Sequence, residues 1–405
     1  MPDADVVIVG AGAAGLSLAH RLCAPAPGAS RPSVVLVDAP PGPLRPPERT
    51  WCFWEAPGGP YDRVLSASWD LLRVRGRDGS ASTSDPAPFR YKMLSSGAFE
   101  RFVTAGLSRS AGFRRVEAVV DSVRDTPHGA VVHGRRERGR PWEVHARWVF
   151  DSRPPARLPA ARTTLLQHFR GWFVTTELPV FDAAVADLMD FRTAQPAHGL
   201  SFGYVLPFGP RRALVEYTEF SARALGVAQY ESALGRYTGS VLGLGRFRVT
   251  RAEQGVIPMT DGRFPRRSGA SVFRVGTAGG ATRASTGYTF AAVQRQVQAV
   301  AEAVLAGRTP VPPAAHSWRS RAMDAVLLRA IDTGRVDGAA FFAGLFREVP
   351  TARLLRFLDG RTRLWEDLSI GGSTPVAPML RSAVELPLRR RRDPRPTAPP
   401  ARGTP

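Results

Sequence analysis

The chain has 405 residues, enough to bury a large core, and its composition, 43% hydrophobic and 22% charged, is that of a globular protein. Two cysteines, Cys23 and Cys52, argue against a disulfide framework, and no Cys/His cluster has the spacing of metal ligands, so no metal is expected. The net charge of +20 is almost wholly arginine, since Lys92 is the only lysine; its scatter argues against nucleic acid and fits either a solvated surface from GC-rich coding or an anionic membrane surface.

The start of the chain runs into a strand without a secretory signal, and no stretch reaches ~18 uninterrupted apolar residues. A cytoplasmic protein is expected, touching the cytoplasmic membrane at its periphery. The segment DVVIVGAGAAGLSLAHRL (5–22) reads as a buried strand, a glycine turn and a helix, and PSVVLVDAP (32–40) as a second apolar strand ending in Asp38. Gly10, Gly12 and Gly15 match G-x-G-x-x-G, in which the first glycine makes the tight turn, the second admits a pyrophosphate and the third lets helix and strand pack. With Ala13 and Asp38 they form the expected dinucleotide site. The motif stands so near the start that FAD is expected over NAD, a preference resting on the habit of flavoproteins and not on spacing.

Residues 68–130 mix short strands with a helix near 95–107, and RWVFDSRPP (147–155) is a strand ending in an acidic loop. From HFRGWFVTTEL (168–178) to LVEYTEF, alternating and apolar runs predict an antiparallel sheet. Its last strand, ALVEYTEFS (213–221), puts Leu214, Glu216 and Thr218 on one face and Val215, Tyr217 and Glu219 on the other. Beside the apolar run GLSFGYVLPFG, a carboxylate at Glu216 is costly unless it is protonated or paired, an arginine being the ordinary partner. Glu219 reads as structural or solvated.

Downstream, residues 273–308 read as a strand, a Gly/Ser/Thr-rich loop and a helix with the stripe Phe290, Val293, Val297, Val300, Val304. The backbone amides of this loop, which holds Gly276, Thr286, Gly287 and Tyr288, could face an anion, an ordinary crossover being the alternative. Residues 318–385 look helical, and Pro and Arg dominate from 388 onward, where disorder is expected. The expected division is 1–165 and 246–310 for a dinucleotide domain, 166–245 for an antiparallel substrate domain, 311–387 helical and 388–405 a basic tail.

Several stretches, in order, resemble the flavin-dependent lycopene cyclases of carotenoid biosynthesis, of the bacterial type related to the plant enzymes. They are ERTWCFWE (48–55), FDSRP (150–154), MDFRTAQPAHGLSFGYVLPFGPRRALVEYTEFS (189–221), EQGVIPM (253–259), STGYTF (285–290) and LLRFLDG (354–360). The sequence departs from that pattern at Ala284, where a proline is expected, and at Tyr217, where an acid is common. Thr277 follows Gly276 where relatives with aromatic-hydroxylase folds carry aspartate.

The resemblance implies an α/β fold: a Rossmann-type FAD-binding domain of the aromatic-hydroxylase kind, an interleaved antiparallel substrate domain and a helical C-terminal region. It implies an acid-catalysed, non-redox closure of the acyclic ends of lycopene or a related carotenoid into β-rings, with Glu216 as the acid. Reduced FAD would stabilise the cation, NADPH or NADH would supply the reduction, and STGYTF would lie near the flavin ring. Trp51, Phe53, Trp54, Trp172, Phe202, Tyr204 and Tyr288 are candidates for cation–π contact, with core packing as the alternative for each. Glu253 is a candidate for flavin or proton handling, or for a strand-end salt bridge. A hydrocarbon substrate implies a membrane surface, with AAFFAGLF (339–346) and the basic tail as candidate contacts, and association with other carotenoid-pathway enzymes; a buried helix is the alternative for AAFFAGLF. The rival activity on the same fold is an FAD-dependent aromatic monooxygenase or halogenase using NAD(P)H and oxygen.

Overall fold

The computed structural model describes residues 2–24 and 31–393. The first apolar run forms the strand Ala4–Val9, in parallel register with Val34–Asp38 on one side and with the end of Pro141–Asp151 on the other. Val6, Val7 and Ile8 are wholly buried, as an unbroken apolar run must be when helices and strands cover both faces of a parallel sheet. Phe113–Glu117 extends the sheet at one edge, Val272–Arg274 pairs in parallel with Pro141–Asp151, and the ribbon Val119–Thr126/Gly129–Arg135 closes the other edge. The helices Ala13–Cys23, Ser96–Leu107 and Phe290–Leu305 share one core with this sheet, built on residues such as Leu16, Leu18, Phe99, Val293 and Val297.

A second sheet of seven strands runs in the order Phe247–Thr260, Thr164–Thr176, Arg212–Ser221, Leu200–Gly209, Val185–Asp190, Leu71–Arg75, Ala81–Ser84. It crosses the expected divisions at 165 and 246. Residues 71–84 reach it from the N-terminal segment, and Phe247–Thr260 stays in it because the long strand Thr164–Thr176 offers an antiparallel ladder along its whole length.

The small sheet Thr50–Glu55, Arg90–Ser95, Ala67–Trp69 joins the two halves. Strand alternation does the joining: Trp51 and Phe53 pack into the core of the first sheet, whereas Cys52 and Trp54 pack into that of the second.

Five helices, Trp318–Asp332, Gly338–Glu348, Thr351–Leu358, Leu364–Gly372 and Val376–Glu385, cover the second sheet. AAFFAGLF lies in the second of them and is a buried helix, not a membrane contact: Phe341, Phe342 and Leu345 enter the core, and Gly338 passes so near Leu200 that a Cβ there would fall 2.3 Å from its Cδ2. Disorder was expected from 388, but residues 388–393 are docked. Arg392 exchanges backbone hydrogen bonds with Ala161, and Arg391 and Arg162 flank the buried carboxylate of Asp261. Residues 394–405 lie outside the described residues. Among the described residues no helix is long and apolar enough to cross a membrane.

Candidate functional site

The glycine turn has the geometry its sequence requires. Gly10 adopts φ +98°, and a Cβ on it would lie 2.5 Å from Ser152 Oγ. A Cβ on Gly15 would lie 1.9 Å from the carbonyl oxygen of Gly10, so helix and turn pack backbone to backbone. Gly12, by contrast, faces open space at the start of the helix whose first residue is Ala13, and no side chain caps that end. Free N–H groups and the helix dipole there suit a phosphate. Asp38 is tied to the turn by the Ala11 N–H at 3.2 Å and flanked by Arg115 at 3.3 Å.

The downstream loop comes to the same place. Gly276 (φ +67°) donates its N–H to Gln296 Oε1 and abuts the start of the first helix, where its Cβ would stand 2.9 Å from that of Ala14. Residues 283–288 form a tight loop closed by the Arg283 N–H to Tyr288 oxygen bond. Asp324, on the first of the five C-terminal helices, anchors it by receiving Arg283 at 2.9 Å and Ser285 at 2.8 Å. Gly287 (φ +73°) passes Gln167 so closely that a Cβ would meet its Oε1 at 2.1 Å. Gln167 Oε1 and Thr286 Oγ1 are buried without a partner, and both line the cavity between this loop and the second sheet. Two orphaned polar atoms at the edge of an apolar space fit a planar ring system with a polar rim.

That cavity is walled by Trp54, Leu188, Phe202, Leu214, Phe220 and Phe342 among others. Glu216 projects into it. Its carboxyl is buried, no arginine pairs with it among the described residues, and Oε1 accepts a 2.6 Å hydrogen bond from Thr218 Oγ1. Burial, then the negative charge of Glu253, pushes its pKa up to about 8 against the smaller opposing pull of Thr218. Glu253 is also held above the usual carboxylate range, first by burial; Thr50 Oγ1 donates to it at 2.9 Å, and Arg251 stands 4.0 Å away.

Opposite Glu216 in the ladder stands Tyr204, whose hydroxyl lies 2.6 Å from that of Tyr91, which in turn lies 2.9 Å from that of Tyr288. Burial raises all three phenols, so the chain of hydroxyls stays neutral beside Glu216.

A family model for lycopene cyclase proteins matches residues 5–384. The chain belongs to the lycopene cyclase family. No curated protein matches it at a significant level. Among solved structures, it resembles a geranylgeranyl bacteriochlorophyll reductase-like protein of Thermoplasma acidophilum (TM-score 0.61, 12% identity, 95% of this chain and 99% of that one). It also resembles p-nitrophenol 4-monooxygenase of Pseudomonas putida (0.57, 16%, 94% and 97%). A third is aklavinone-11 hydroxylase in complex with FAD and aklavinone (0.52, 17%, 76% and 63%). At these identities the likeness is one of fold, and the fold is that of the aromatic-hydroxylase-like flavoproteins.

The residues singled out in the sequence fall into two groups that the fold joins. Gly10, Gly12, Ala13, Gly15, Asp38 and Gly276 surround one turn, while Thr286, Gly287 and Tyr288 border the cavity that holds Glu216. Two aromatic candidates fall away. Trp172 pairs with Val215 on the back of the sheet and packs on Phe247, and Phe53 stacks on Phe290 in the other core at 4.6 Å. Tyr217 also faces the back, where it donates to Glu219 at 3.2 Å; Glu219 lies 3.7 Å from the buried His168, so its setting is structural. Sequence reasoning passed over Gln167, Thr50, Tyr91 and Gly171. Only Thr218, two residues from Glu216, carried a local signal.

Proposed function

We propose that this protein closes the acyclic end of lycopene or a related carotenoid into a β-ring by acid catalysis with no net redox change. One observation carries the reading: Glu216 stands in an apolar cavity with no counter-cation among the described residues and a pKa of about 8, so it holds a proton at neutral pH. Thr218 donates to one carboxyl oxygen and so leaves the other to carry that proton into the cavity. Protonation of the terminal double bond gives a tertiary cation, the neighbouring double bond attacks it to close a six-membered ring, and loss of a ring proton yields the product. Substrate and product then have the same atoms. Trp54, Phe202, Tyr204 and Tyr288 offer ring faces or edges to the cation and keep water away. Glu253 lies close enough to Glu216 to raise its pKa and is placed to take up or return a proton.

The cradle fits FAD: Gly10, Gly12, Ala13, Gly15 and Asp38 would hold the dinucleotide, Gly276 the chain leading to the ring, and Thr286, Gly287, Tyr288 and Gln167 the ring itself. The orphaned Gln167 Oε1 and Thr286 Oγ1 are the observation behind that fit. Bound and reduced by NADPH or NADH, FAD supplies negative charge that stabilises a neighbouring cation. Most of 1–165 and 246–310 would serve the flavin, while residues 71–84 and 247–260 join the sheet that carries Glu216. Residues 166–245 would serve the substrate, and the helices of 311–387 would cover it. A hydrocarbon substrate places the protein at the cytoplasmic face of the membrane, within reach of other carotenoid-pathway enzymes.

Co-expression with a lycopene-producing pathway, followed by pigment analysis, tests the reading, and accumulation of unchanged lycopene would overturn it. Conversion without oxygen in the presence of pre-reduced FAD separates cyclisation from a monooxygenase or halogenase, which would stop.

A further inference from the structure

The last two helices are built inside out. In Leu364–Gly372, Glu366 and Asp367 are each 6% exposed, while Trp365 is 57% and Leu368 69% exposed. In Val376–Glu385, Ser382 is buried, while Val376, Leu380 and Val384 form an outward stripe at a spacing of four. Monomeric soluble proteins scatter large exposed apolar side chains singly, yet half of those among the described residues lie between Leu364 and Leu388.

The inward charges are neutralised. Glu366 meets Arg356 at 2.6 Å, Asp367 meets Arg319 at 2.5 Å, and Glu385 receives Arg329, Arg335 and Arg389 within 3.0 Å. The outward charges are basic: Arg361, Arg363, Arg381, Arg390 and Arg392 are exposed between and beyond the apolar faces. A second copy of this chain would set those arginines against their own kind, whereas an anionic bilayer takes tryptophan and leucine into its interface and pairs arginine with its headgroups.

We propose that the outward faces of these two helices seat the protein on an anionic lipid bilayer, next to the element through which the cavity meets it. That element is the helix Thr351–Leu358, whose Leu354, Leu355 and Leu358 line the cavity, and whose Arg356 is bridged to Glu366 on the first docking helix. A lipid-borne hydrocarbon would then pass from bilayer to cavity across one helix. This last step rests on the proposed reaction; the docking face does not.

Flotation with vesicles of phosphatidylcholine, alone or mixed with phosphatidylglycerol, tests it on the full chain without substrate. The wild type should float with the anionic vesicles and less with the neutral ones. A Trp365→Ser/Leu368→Ser/Leu380→Ser variant should bind at least ~10-fold more weakly, since three apolar side chains no longer enter the bilayer interface. Its unchanged thermal melt and unchanged ring formation in detergent would show that the fold and the site are intact. Vesicle binding equal to that of the wild type would overturn the proposal. So would a wild-type dimer that the variant splits with no vesicle binding in either, or binding gained only on deletion of residues 394–405. A wild type that floats with vesicles but forms no ring in detergent would sink the reaction and leave the docking face standing.

Discussion

Glu216 and Glu253 stand on either side of Gly171, both directly opposite it in the ladders that its strand makes with its two neighbours. Gly171 contributes no side chain between them: a Cβ there would come within 2.8 Å of Leu214 Cδ1 and 3.4 Å of Glu216 Cβ. Two buried carboxyls therefore look across the gap at one another, and among the described residues neither has an arginine within 3.5 Å.

Removing the acid while keeping its shape tests its role most directly. Glu216→Gln should retain flavin and fold but lose at least ~100-fold in rate, the usual contribution of a general acid. Flavin absorbance and product analysis on the same preparation check it, and substantial ring formation would refute the assignment.

The pH profile should show a basic limb. Glu216 donates only when protonated, so activity should fall as pH rises through about 8. Thr218 pulls that pKa down by bonding the carboxylate, so Thr218→Val should move the limb to higher pH. Initial rates from pH 6 to 10 on both proteins decide the point.

Stability should follow the same proton. Folded Glu216 keeps its proton up to about pH 8, whereas in the unfolded chain it titrates near the ordinary glutamate value of 4.5. The folded state therefore binds more protons in that window, and stability declines as pH rises through it. Glu216→Gln should flatten that decline; the difference in melting temperature between wild type and variant at pH 5 and pH 8 measures it.

Gly171→Ala should crowd the gap. The new methyl group must displace Leu214 or Glu216, at a cost of about 1–3 kcal/mol by overpacking. The expected result is a lower kcat with flavin content unchanged, and an alanine variant of wild-type activity would show that the gap is not used. Glu253→Gln should lower the basic limb of the pH profile, because it removes the charge that helps raise Glu216.

Flavin retention should depend on the orphaned polar atoms and on the open turn. Gln167→Leu with Thr286→Val should weaken FAD binding by about 10-fold or more, each unmade bond contributing about 1 kcal/mol. Gly12→Val should abolish it by filling the space over the helix start. Titration of the apoprotein with FAD, read by flavin fluorescence, checks both.

What the amino-acid order determined by itself is local. The glycines at 10, 12 and 15 make a turn wherever they follow a strand, and the period-2 pleat sets Glu216 and Thr218 against Tyr217 and Glu219 without reference to any other element. Cross-strand register is not local, and it decided the rest. Only the ladders place Gly171 between Glu216 and Glu253 and turn Trp172 to the back, and only packing between separate sheets brings Tyr91 against Tyr204 and Tyr288. Gln167 has no motif of its own, and its unmet oxygen lies against Gly287, which arrives in a loop from far along the chain. In the same way, AAFFAGLF can be read as core or as surface until Leu200 and Phe220 are packed against it. The outward leucines of the last two helices follow from tertiary contacts too: Arg356 and Arg319 on neighbouring helices hold Glu366 and Asp367 inward, which leaves Trp365 and Leu368 on the outer side.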